Sequence, residues 1–138
     1  MLRLVFALAI GIWLGAVVHL SFVVTPTAHG LLTPQDARRL LRPLFPRYYA
    51  LGIVCGFVAL ASVALGKAGL SEEELLRLSL PTATAIALNI VARQRILPRM
   101  QEAARDDPEF DRLHRLSAML NSTTLAALVL AMAAAVTR

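Results

Sequence analysis

The sequence predicts an all-α integral membrane protein, a four-helix bundle with a short amphipathic interfacial helix between its first and second spans. Two observations carry that prediction. Hydrophobic residues fill 57% of the 138 positions and charged residues 17%, with a mean hydropathy of +0.64, whereas soluble domains average about 45–50% apolar and about 25% charged. The apolar residues also fall into four blocks, each close to the ~20 residues that a helix rising ~1.5 Å per residue needs to cross the hydrocarbon core. No internal repeat, low-complexity segment or dividing linker interrupts them, so residues 1–138 read as one domain.

The first span, residues 4–24, contains no Lys, Arg, Asp or Glu. Its apolar part is too long for a signal peptide and no clear small-x-small cleavage site follows, so it is expected to be retained. Next, Thr33-Pro34 with Asp36 opens a short helix in which Ala37, Leu40, Leu41, Leu44 and Phe45 recur on one face, with Arg38, Arg39 and Arg42 elsewhere. That pattern predicts a piece lying on the membrane surface and interrupted near Pro43. The second span covers 48–65, apolar apart from its aromatic start and Ser62.

The third span, 75–97, is the weakest, because Arg77, Pro81, Asn89 and Arg93 interrupt it. Its charge-free middle still fits a membrane, since both arginines can snorkel to headgroups. Ser71 with Glu74 forms a capping box at its start. Asp107-Pro108 supplies an N-cap and a first-turn proline ahead of the fourth span, 113–136.

Charge sets the expected orientation. Arg3, Lys67, Arg77 and Arg138 share the side of both termini, and the other ten arginines flank the first and third loops. By the positive-inside rule those loops face the cytoplasm and both termini lie outside, with a bacterial inner membrane as the expected location. The net charge of +5 therefore reads as attraction to lipid headgroups, not to nucleic acid.

Polar residues gather at the predicted cytoplasmic end of every span. His19 closes span one and Tyr48-Tyr49 opens span two. Asn89 and Arg93, at i and i+4, share a face of span three; His114, Ser117 and Asn121, at i, i+3 and i+7, share one of span four. Polar groups in lipid must find partners, so these stripes predict an interhelical hydrogen-bond network or a polar pocket open to the cytoplasm. Ser21 and Thr25 lie off that face, where each hydroxyl can bond its own helix. Plainer roles stand beside this: Ser and Asn as packing glue, the tyrosines as an aromatic belt, the arginines as anchors. His19 and His114 could ligate a metal or haem iron, although no acid within a span is placed to orient either ring.

Gly11-x-x-x-Gly15 and Gly52-x-x-x-Gly56 are small-xxx-small patterns expected to allow close helix packing. The lone cysteine, Cys55, excludes an intrachain disulfide and reads as a buried thiol. No phosphate loop, HExxH or nucleophile elbow is present, so an enzyme is not expected.

Taken in order, Trp13-Leu14-Gly15, Pro26, Leu44-Phe45-Pro46, Tyr48-Tyr49, Arg93, Phe110, Leu113-His114, Ser117 and Asn121 resemble the transmembrane protein 205-like family. That resemblance implies a four-span membrane protein without an established reaction.

The leading functional expectation is binding, and transport in its fuller form, of a small polar or anionic solute or a metal species. The pocket would be lined by His19, Tyr48, Asn89, Arg93, His114, Ser117 and Asn121. In it Arg93 attracts anionic groups, while His114 and Asn121 orient the ligand. No cofactor is expected under that reading. The rivals are a haem- or metal-binding redox subunit using His19 and His114, and a structural or accessory subunit. Membrane lipids are the expected partners, with a homo-oligomer or a membrane complex as further ones.

Overall fold

The computed structural model describes residues 1–104 and 106–137; Arg105 and Arg138, both used in the charge count, lie outside the described residues. The described chain is helical, with four helices long and apolar enough to cross a membrane. We name them α1 (Leu2–Leu31), α2 (Pro34–Gly66), α3 (Glu72–Glu102) and α4 (Pro108–Val136). Each begins before, or ends beyond, the apolar stretch that betrayed it. This architecture is consistent with an integral membrane protein.

Two of the four contain a π turn, and each π turn precedes a proline. In α1 it spans Leu20–Val24, ahead of Pro26; in α3 it spans Ala92–Ile96, ahead of Pro98. A proline ring clashes with the carbonyl four residues earlier, here on Phe22 and Gln94. Both carbonyls fall within the widened turns, which relieve the clash without ending the helix.

In α2 the structure departs from expectation. The arginine-rich piece is helical and is capped by Thr33, whose hydroxyl accepts from Asp36 N–H at 3.2 Å. It is not a separate helix, however, because it runs unbroken through Pro43 and Pro46 into the second span. Pro46 has no N–H for the carbonyl of Arg42, and Gln101 Nε2 donates to that carbonyl at 3.0 Å. Part of the apolar face of this piece is also held by protein: Ala37 and Leu41 pack on Ala28 of α1, flanked by Val24 and Phe45, while Leu40 stays exposed.

The caps of α3 and α4 form as read. Ser71 and Glu74 make both bonds of the capping box, and Asp107 accepts from Glu109 N–H at 3.0 Å. At its other end α3 is capped by Arg38, which donates to the carbonyls of Gln101 and Ala103.

The helices pack in a ring, α1 against α2, α2 against α3, α3 against α4 and α4 against α1. Phe6, Ile10, Trp13, Val17 and Leu128 fill the centre. In α1 the buried set recurs every three or four residues, while Leu4, Leu8 and Ile12 face outward. Exposed leucines of this kind are what a lipid-facing surface requires. The buried hydroxyls of Thr82 and Thr124 donate to carbonyls of their own helices, Leu78 and Leu120.

Candidate functional site

The polar residues expected at one end of the bundle divide into two groups. One group is tied together inside. Tyr48, buried on α2, donates its phenol to Asn121 Oδ1 on α4 at 2.8 Å. Asn121 Nδ2 donates in turn to Ser21 Oγ, within the π turn of α1, at 2.8 Å. Three helices are thereby joined through one amide whose oxygen and nitrogen are both engaged. Tyr48 and Asn121 bridge α2 and α4, which are diagonal partners in the ring.

Beside this chain Tyr49 is also buried, tilted against Tyr48 with ring centroids 5.0 Å apart. The tyrosines therefore point into the bundle and not into an interfacial belt. Ser117 of α4 stands next to Tyr49. Asn89, buried on α3, donates to the Tyr49 carbonyl at 3.5 Å, the long limit of a hydrogen bond.

One layer deeper, α1 and α3 both close on a glycine of α2. A Cβ added to Gly52 would sit 2.4 Å from both Trp13 Nε1 and Asn89 Nδ2. The missing side chain leaves room beside Gly52 for both the indole of α1 and the amide of α3. Among the described residues, Trp13 Nε1 is buried without a hydrogen-bond partner, and nothing in its apolar surroundings in the sequence announced it.

The second group faces away. His19, Arg93 and His114 are all exposed. His114 stacks on Phe110 of its own helix, centroids 6.3 Å apart and nearly parallel. Of the seven residues expected to line a pocket, Tyr48, Asn89, Ser117 and Asn121 come together, and these three do not. Helix phase explains the split in α1: the buried face through Trp13 and Val17 reaches Ser21 at the next i+4 step, so that Ser21, expected to turn away, meets Asn121, while His19 lies off that face and is exposed. Among the described residues, no three His, Cys, Asp or Glu side chains are grouped to hold a metal.

The glycine patterns divide in the same way. Gly52 and Gly56 lie in close contact with neighbouring helices, and a Cβ on Gly56 would sit 2.4 Å from Ile86. Gly15, by contrast, has nothing within 4 Å of a built Cβ, and Gly11 meets only Met132 at 3.5 Å. The first pattern is therefore not a tight helix contact within the bundle.

Open space occurs at the opposite end, near the termini. A cavity of about 330 Å³ lies among all four helices, with Phe6, Val63 and Leu78 in its wall and Arg3 at its edge. A wider groove of about 710 Å³ opens between α3 and α4, along Leu80, Pro81, Ala126 and Leu130. Small residues such as Gly66, Ala134 and Ala135 leave this space unfilled.

A family model described as a domain of unknown function, DUF4149, matches residues 8–109. The match takes in α1 beyond its first turns, all of α2 and α3, and the start of α4. No curated protein and no solved structure matches the chain.

Proposed function

The chain belongs to the DUF4149 family, a domain of unknown function, and from that premise we propose that it serves as a structural or accessory subunit of a membrane assembly. Its polar end locks the helices together. The observation that carries this reading is the engagement of Asn121 on both sides, by Tyr48 and by Ser21. Interhelical hydrogen bonds of this type contribute about 0.6–2 kcal/mol each. An amide with both ends engaged is not positioned to orient a solute. The exposed His114 and Arg93 are suited to headgroup or partner contact.

The resemblance to transmembrane protein 205-like proteins belongs to the same proposal. Trp13, Tyr48, Tyr49, Ser117 and Asn121, which carry that resemblance, are residues of the packed polar core. The orientation with both termini outside the cytoplasm also belongs here, supported by the arginines crowded at the other end.

The test is a comparison of variants in detergent. Tyr48→Phe and Asn121→Ala are expected to lower thermal stability, while His114→Ala and Arg93→Ala leave it near wild type. A solute-dependent thermal shift that disappears in His114→Ala and Arg93→Ala would favour the binding reading instead. A Soret band, or bound metal lost on replacing His19 or His114, would favour the redox subunit.

A further inference from the structure

We infer that the cavity among the four helices at the termini end is a binding site for a single-chain amphiphile with a carboxylate head, in the medium-chain fatty acid class. This cavity is separate from the lock, which lies at the other end of the bundle.

The cavity suits a chain. Phe6, Val63, Leu78 and Ala135 present carbon to it. Its buried hydroxyl, on Ser62, already donates to the Ala59 carbonyl at 2.7 Å, so the interior requires no polar group from a ligand. The volume of about 330 Å³ falls at the small end of ligand pockets, which run ~300–1,000 Å³. Taking roughly the ~30 Å³ share of a water molecule for each heavy atom, it holds on the order of ten carbons.

The rim suits a carboxylate. Arg3 lines the cavity and is held in place by Glu74, which accepts from its Nη2. Glu74 is fixed in turn by the Ser71 N–H, which donates to its other oxygen at 3.0 Å. Among the described residues, Arg3 makes no hydrogen bond from Nε or Nη1. A guanidinium presents five donors in one plane and accepts a carboxylate in fork geometry. Glu74 therefore orients Arg3 while leaving it donors for a second anion, and the side chain stays 43% exposed for an incoming head. A chain entering from the membrane surface would place its carbons between the helices and its head at the interface.

Trp13 provides the readout, being the sole tryptophan and lying two helical turns below Phe6 on the same face. Purified protein in detergent is titrated with 10-bromodecanoate and with 10-bromodecanol, following bromine quenching of Trp13. Saturable quenching by bromodecanoate is expected. Arg3→Gln should weaken it about fivefold, the equivalent of one exposed ion pair, and leave bromodecanol unchanged. Ala135→Leu, which fills the cavity, should weaken both ligands. Quenching that rises linearly without saturation, or that Arg3→Gln does not change, would overturn the assignment. Arg3 is a surface residue, so that variant remains decisive even where Ala135→Leu does not fold.

Discussion

Gln101 on α3 donates to the main-chain carbonyl of Arg42 on α2, 59 residues away in sequence, across 3.0 Å. That carbonyl is the one Pro46 cannot serve. The bond thus ties the arginine-rich start of α2 to the end of α3 and lets α2 continue through its second proline. Gln101→Ala should loosen this end by about 0.5–1.5 kcal/mol, seen as faster amide exchange before Pro46. In a Pro46→Ala background the substituted residue supplies the missing N–H, so the same change should cost less. Equal losses in both backgrounds, in a double-mutant cycle, would show that the glutamine does not serve that carbonyl.

The two glycine pairs look alike in sequence and should behave differently. Gly52→Ala drives a methyl to within 2.4 Å of Trp13 and Asn89, and such overpacking costs about 1–3 kcal/mol. Gly15→Ala meets open space and should be neutral or raise stability by up to ~1 kcal/mol through helix propensity. Melting of the two variants in detergent checks this, and equal destabilisation would contradict the packing described.

How far the sequence disclosed this fold depends on which physical signal each feature left. Hydropathy marked all four spans, because twenty apolar residues have few other uses. Ser71, Glu74, Asp107 and Pro108 marked helix starts, because capping is local chemistry. Spacing brought Tyr48, Asn89, Ser117 and Asn121 to one end, yet it could not assign His19 and His114. Spacing shows which residues of one helix share a stripe, but which way that stripe faces is set by the packed set, in α1 Phe6, Ile10, Trp13 and Val17, whose phase leaves His19 outside. The piece reads as interrupted near Pro43, yet the helix runs on through Pro46 as well, where the compensating donor, Gln101, comes from another helix. The cavity left no signal beyond an excess of small residues, which equally describes tight packing.

The lock makes a separate demand on Tyr48 and Asn121. If their energies act through the shared hydrogen bond, Tyr48→Phe should destabilise wild type but cost less in an Asn121→Ala background. A coupling of about 0.6–1.7 kcal/mol is expected in a membrane bundle. Additive losses from thermal or denaturant unfolding would show that each residue contributes through packing alone.

Glu74 makes the termini end sensitive to acid. It precedes the apolar stretch of α3, and its carboxyl is held below the usual range, first by the Ser71 main-chain N–H and then by Arg3. With the folded-state pKa below the unfolded one, its contribution is complete above the ordinary glutamate value of about 4.3. It is lost as pH falls through the depressed folded value. Glu74→Gln keeps a capping-box side chain, since glutamine also serves at that position, but carries no charge to titrate. Between about pH 6 and about pH 3, across that titration range, wild type should lose more of its melting temperature than Glu74→Gln does. The difference should shrink in salt, because the Arg3 pair is exposed and screened. Parallel losses in the two proteins would place the acid sensitivity on other carboxylates and leave Glu74 as a cap alone.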